Sequence, residues 1–235
     1  MLIRPQQYKL GATLAQFDGQ LVGAIGAFSR ACVDDAVLAQ PLEVLLVEGS
    51  AGTGFHARLG DAAHRLYEGR LTEAEVSFTL EAFHMEGNGD PLPLLLKDSA
   101  CCQYPVTGEL RGTILDLAAK EGLRGALLYV TGTARDLHTY GHTDPRHLND
   151  QTKTFAVEPG LTEIEGWGNL SFIDGKTPFV HVHGTYVAHG VRKGGHFIMD
   201  DRTPLHVERT TLVIYPVRSL IRTIQGEDFP TWQQG

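Results

Sequence analysis

The sequence predicts an α+β fold: a mainly antiparallel β-sheet with one principal helix per domain, in two tandem related domains. Three observations predict it. One stretch carries a helical period ended by glycine, several short segments alternate apolar and polar residues between turn signals, and the first half echoes the order of the second. With 235 residues and 42% hydrophobic content, the chain can bury one large core or two small ones.

The helix is read over Glu109–Lys120, where Leu110, Ile114, Leu117 and Ala118 share one face and Gly122 stops the run. A buried-type strand follows at 125–133, then further strands at Glu163–Ser171, Phe179–His183, His196–Met199 and Val207–Tyr215. Asp174-Gly175 between strand-like flanks is a hairpin signal, because such turns require positive φ. In the first half, Leu21–Ala27 resembles 123–129, Gly54–Gly60 resembles 179–184, and Glu75–Glu81 alternates like Arg209–Tyr215. The helix has only a shortened counterpart near Leu14–Phe17. Gly87 to Pro93, dense in Gly, Asn, Asp and Pro, reads as a linker. The division is therefore 1–95, a degenerate β-rich domain, and 96–235, the domain that carries the chemistry.

Composition excludes several classes. A formal charge of −8 and scattered basic residues argue against a general nucleic-acid binder; Arg192-Lys193 reads as a solvated loop tip. Cys32, Cys101 and Cys102 form neither a disulfide framework nor a Cys-x-x-Cys knuckle, so reduced thiols in a cytoplasmic protein are expected. No apolar run reaches transmembrane length, and the first residues carry no signal-peptide pattern.

The chemistry centres on Phe179-Val180-His181-Val182-His183 and Gly194-Gly195-His196. Strand alternation puts His181 and His183 on one face, roughly 6–7 Å apart along the chain. The 184–195 loop is long enough to return His196 on an antiparallel neighbour. Three neutral imidazoles converging there suit a divalent ion, Zn²⁺ first, with an open position for water or ligand. The competing reading is polar architecture, since histidines also serve as ordinary hydrogen-bonded strand residues. Asn169 and Ser171 could line a polar pocket or make interstrand hydrogen bonds, and Gly195 would let backbone approach closely beside His196. Asp136 and Glu208 are the best nearby carboxylates, each reading more readily as structural. His138, His142 and His147 lie on an expected loop with irregular spacing, while His189 and His206 read as solvated. The glutamate that a cupin-type site would place just after His-x-His is missing at Gly184-Thr185-Tyr186-Val187. Arg58 stands where a repeat would place a triad histidine, so a metal-free first copy is expected.

Across about residues 103–220 these features, taken in order, resemble the plants-and-prokaryotes-conserved (PPC) domain, a family that often carries a DNA-binding label. The match rests on the helix, Val130–Asp136, Gly168–Ser171, Asp174–His183, Gly194-Gly195-His196 and the closing 207–215 strand. The resemblance implies a mainly antiparallel α/β fold, a homotrimer, and metal ligation by His181, His183 and His196. Plant members add an Arg-Gly-Arg minor-groove hook, which this chain lacks. The function expected is a zinc-binding protein with a small-molecule or regulatory role and an anionic small ligand. A zinc hydrolase or hydratase and a DNA-binding regulator are the alternatives.

Overall fold

The computed structural model describes residues 3–85, 100–144, 152–217, 219–223 and 231–232. The expected linker at Gly87–Pro93, and His147, lie outside these residues.

Two sheets organise the chain. The first holds β1 (Ile3–Lys9), β2 (Gln20–Val33), β3 (Ala36–Leu38), β4 (Leu42–Ser50), β5 (Gly54–Asp61) and β6 (Leu66–Met85), in the order β1-β6-β5-β4-β2-β3. The second holds β7 (Cys102–Glu109), β8 (Ala126–His142), β9 (Lys153–Ile173), β10 (Thr177–Ala188), β11 (Val191–Phe197), β12 (His206–Pro216), β13 (Ile221–Thr223) and β14 (Thr231–Trp232). Its order is β14-β13-β9-β10-β11-β8-β12-β7, and every pairing in both sheets is antiparallel except β13 with β9. Each sheet curls shut, the first through β6–β2 and the second through β9–β8.

The pairing of one sheet maps onto the other. β1, β2, β4 and β5 take the places of β7, β8, β9 and β10, and the long β6 replaces β11 and β12 as one continuous strand. A shared device marks the match: Gly26 on β2 and Gly132 on β8 sit at φ 147° and 151°, each beside a register shift. A Cβ would come within 2.2 Å of Thr79 O at the first and 2.5 Å of the Thr210 Cα at the second. Only glycine avoids both the clash and the left-handed strain. Aligning these bulges slides the likeness along the strand, matching Gly26 to Gly132 where the sequence comparison had set Leu21 against Leu123.

The single α-helix among the described residues, α1 (Leu110–Glu121), is capped as its sequence requires. The Glu109 carboxylate accepts the Arg111 and Gly112 N–H groups, and Gly122 at φ 64° closes the C-terminus. Its Leu110, Ile114 and Ala118 are buried against the second sheet. In the first half the helix shrinks to one 3₁₀ turn at Leu14–Gln16, so the expected helix per domain is present only once.

Several elements outrun their sequence signals. β8 continues through His142, placing His138 and His142 on a strand, because its antiparallel partner β9 extends equally far. β10 runs to Ala188 and turns at His189-Gly190, so the expected 184–195 loop is a tight hairpin and the return strand ends at Phe197. Arg192 and Lys193 lie on that strand, paired with Glu68 and Glu158, and form no loop tip.

Each sheet encloses its own apolar core, and a third cluster joins them: Ile25, Leu46 and Phe83 from the first half meet Leu127, Trp167 and Tyr215 from the second. β4 lies across β10 and β11, and the backbone of Gly194 approaches Leu45 so closely that a Cβ would meet its Cδ1 at 2.1 Å. This joint holds the histidines.

Candidate metal centre

One face of the second sheet presents the site. In the β9–β10–β11–β8 ladder, His181 lies opposite Asn169, His183 opposite Trp167 and His196, and His196 opposite Tyr140. Residues directly opposite share a face, so the three imidazoles converge with ring centroids 4.7, 4.8 and 4.9 Å apart. The Tyr140 ring stacks on His196 at 4.2 Å, fixing its plane.

The first half supplies what orients these rings. His181 Nδ1 lies 2.9 Å from Glu81 Oε2 on β6, and His183 Nδ1 lies 2.9 Å from the Val44 carbonyl on β4. Both partners are acceptors, so both Nδ1 atoms carry a hydrogen and both rings turn their Nε2 atoms into the cluster. Those Nε2 atoms stand 3.0 Å apart, and His196 Nδ1 stands 3.0 Å from His183 Nε2. Nitrogens at that distance share either a proton or a metal cation. The edge of a tetrahedral zinc site, at Zn–N of about 2.0–2.1 Å, is about 3.3 Å. The three histidines therefore form a group that could hold a metal ion.

Electrostatics keep the ligands in their binding form. Burial, then the neighbouring His181, lowers the His183 pKa to about 4. Burial, then His183 and His181, holds His196 well below the usual histidine range. These two rings are neutral at pH 7, as ligation requires. Burial would raise the Glu81 carboxyl, but the Arg222 charge and then His181 hold it far below the ordinary carboxylate range. Arg222, on β13 and fully buried, closes a fork on both Glu81 oxygens, with Nη2–Oε2 at 2.9 Å. The same guanidinium reaches Asn169 Oδ1 at 2.9 Å and Ser171 Oγ at 2.5 Å, and Asn169 Nδ2 donates to Glu81 at 2.9 Å. Asn169 and Ser171 thus brace the carboxylate that orients His181.

The histidines border a cavity of about 40 Å³ walled by Gly26, Ala27, Phe78 and Thr79 of the first half, with Glu43, Tyr140 and His142. A larger hollow of about 400 Å³ shares the Tyr140 and His196 walls and carries Lys153 and Arg111. Glu43 Oε1 accepts the His142 backbone N–H at 3.1 Å and also contacts the ring Nδ1; burial opposes its charge, and His142 and then His183 hold its pKa below the usual range.

Other sequence candidates fall elsewhere. Gly195 is buried opposite Gly184, facing Tyr140 O and His64 rather than the histidine cluster. Asp136 accepts the Gly160 N–H, and Glu208 pairs with Arg135 on the surface. His189 sits exposed in the turn and His206 exposed at the start of β12. Arg58 bridges the halves, pairing with Glu68 at 2.9 Å and Glu165 at 2.7 Å. Sequence reasoning missed Glu43, Glu81 and Arg222, and it set His142 on a loop away from the site. Glu81 had a signal, an acid set between the apolar residues Leu80 and Ala82-Phe83; the others had none, since their partners lie about 100 residues or more away.

No family model matches the chain, and no curated protein matches it. Solved structures that align with the chain include a PPC protein from Pyrococcus horikoshii at TM-score 0.46 and 20% identity, covering 57% of this chain and 90% of that one. Acetolactate decarboxylase from Bacillus subtilis subspecies spizizenii aligns at TM-score 0.53 and 10% identity over 94% of this chain and 84% of that one. The α-acetolactate decarboxylase of Bacillus subtilis strain 168 aligns at TM-score 0.51 and 12% identity over 94% and 85%. The two-sheet fold is that of acetolactate decarboxylase. The likeness spans both halves, and so takes in the joint where the histidines sit.

Proposed function

We propose that this chain is a divalent-metal enzyme, zinc-loaded, that decarboxylates a small 2-hydroxy-3-oxo acid. The observation that carries the metal part is the convergence of His181, His183 and His196 in a buried pocket, with the His181 and His183 Nε2 atoms 3.0 Å apart and both rings oriented through Nδ1. The similarity of both halves to acetolactate decarboxylase supports the choice of reaction. When bound, a divalent ion would supply Lewis acidity to the carbonyl and hydroxyl oxygens of such an acid.

The chain's own residues prepare that chemistry. Glu81, braced by Arg222 and Asn169, fixes His181; the Val44 carbonyl fixes His183; Tyr140 fixes His196. Fixed rings cost no reorganisation when the ligand arrives. Ala27 and Phe78 supply an apolar wall to the small inner cavity opposite the histidines. In 2-acetolactate the C–C bond to the carboxylate breaks, its electron pair passes to the adjacent ketone, and a proton returns to carbon to give acetoin. The outer hollow carries Lys153 and Arg111 beside Asp200 and Asp201, with Arg111 paired to Asp201 at 2.8 Å. A homotrimer, implied by the PPC resemblance, and the cytoplasmic setting expected from the sequence belong to the same proposal.

The test is carbon dioxide and acetoin release from 2-acetolactate by zinc-loaded protein, beside a panel of esters and lactones. Release abolished by chelator and restored by zinc supports the lyase. Turnover of esters alone would replace it with a hydrolase, and turnover of neither, in a zinc-loaded protein, would leave a binding protein.

A further inference from the structure

Among the described rings that line the inner cavity, His142 holds a buried nitrogen that needs a partner. The ring is 7% exposed, and Glu43, 3% exposed, holds it through both the backbone N–H and Nδ1. The Tyr140 ring meets it edge-on at 5.0 Å. Its Nε2 is buried without a hydrogen-bond partner, although the ring lines the cavity beside the three histidines. A buried polar atom left unpaired is costly, so a ring clamped this firmly with a free Nε2 points to a ligand that satisfies it.

Size and chemistry limit that ligand. About 40 Å³ of cavity holds roughly three water-sized groups at about 10–15 Å³ each. The inner end therefore accepts only a small head group, and the rest of a substrate extends toward the 400 Å³ hollow. A hydroxyl suits Nε2 in either protonation state, since it donates to a neutral ring and accepts from a charged one.

We infer that His142, clamped by Glu43, reads the hydroxyl of a 2-hydroxy acid whose oxygens occupy the three-histidine centre. The inference rests on the metal reading above and deepens it: the substrate class is set by a hydroxyl beside the carboxylate, and His142 is the residue that discriminates. It is a specificity residue that touches the substrate, and the metal is held without it.

Calorimetric binding of two probes to zinc-loaded protein tests it: 2-hydroxy-2-methylpropanoate and 2,2-dimethylpropanoate, which differ in a hydroxyl against a methyl. The ratio of their dissociation constants is measured in wild type, His142→Asn and His142→Gln, with zinc content measured on each. Asn keeps a donor toward Glu43 near the Nδ1 place and offers nothing at the Nε2 place, whereas Gln places an amide there. The expected result is a preference for the hydroxy acid that falls about tenfold in His142→Asn, persists in part in His142→Gln, and leaves zinc content and affinity for the deoxy acid unchanged. An unchanged preference in zinc-loaded His142→Asn would overturn the inference alone. Absence of zinc from the wild type would overturn the metal reading and this inference with it. Should His142→Asn not fold, loss of the preference in His142→Phe, or its retention there, decides the matter in the same way.

Discussion

At the scale of the residue, the centre depends on a charge pair that neither half could bury alone. Arg222 and Glu81 are both fully buried, and their mutual fork is completed by Asn169 and Ser171. Removing one member of such a pair leaves an uncompensated charge at a cost of about 3–5 kcal/mol. Glu81→Ala is accordingly expected to lower the unfolding free energy of the metal-free protein by about that amount in urea titrations. Glu81→Gln keeps the shape but weakens the hold on His181 Nδ1, and zinc affinity measured by chelator competition should fall about 10–100-fold. Loss of stability without loss of zinc affinity in Glu81→Gln would show that His181 needs no orienting carboxylate. The histidines themselves were legible because a strand's period of two and a hairpin return are local rules. Glu81 and Arg222 were not, because 141 residues separate them and only tertiary packing sets them together.

At the scale of the element, the fold turns on matched irregularities. Gly26 and Gly132, one in each sheet, admit the partner strand beside a slip of the ladder. Gly132→Ala forces a Cβ to within 2.6 Å of the Arg209 carbonyl oxygen at φ 151°, and it should cost about 2 kcal/mol or more in thermal or urea unfolding. A loss under about 0.5 kcal/mol would mean the bulge relaxes freely. The helix was readable almost to its ends, since Glu109 and Gly122 cap it through contacts with near neighbours. Strand lengths were not: the pairing of β8 with β9 carries it well past its apolar run, and the polar stretch containing His138 and His142 gave no local sign of strand. A single 3₁₀ turn in place of the first half's helix fits the short Leu14–Phe17 signal.

At the scale of the molecule, the chain is two like sheets, one carrying ligands and the other carrying the groups that orient them. The joint between them is also where acid should act. Asp61 at the end of β5 accepts from the Ala63 and Arg65 backbones, from Arg65 Nε at 2.6 Å and from Tyr67, ordering a turn whose His64 ring lies against Gly194 O and Thr154 O of the other half. Burial opposes its charge, but the Arg65 hydrogen bonds and then Tyr67 hold its pKa below the ordinary value. A folded pKa below the unfolded one, about 3.9, gives stability that is complete above that value and is lost as pH falls through the folded one. Asp61→Asn should therefore flatten the decline in unfolding free energy below about pH 4, and a slope identical to wild type would remove Asp61 from the account. The repeat was visible in the sequence as an order of segments, but its meaning was not. The expectation of a first copy without metal took no account of what that copy contributes, which is Glu81, Glu43 and the Val44 carbonyl at the site. No helix among the described residues is long and apolar enough to cross a membrane. The most direct test of the whole account is metal content per chain by elemental analysis, on wild type and on the His181→Ala/His183→Ala variant after incubation with zinc. About one zinc per chain in wild type and almost none in the variant is the predicted result. Wild type that remains metal-free, or a variant that keeps its zinc, would contradict a centre built from these histidines at the joint of the two halves.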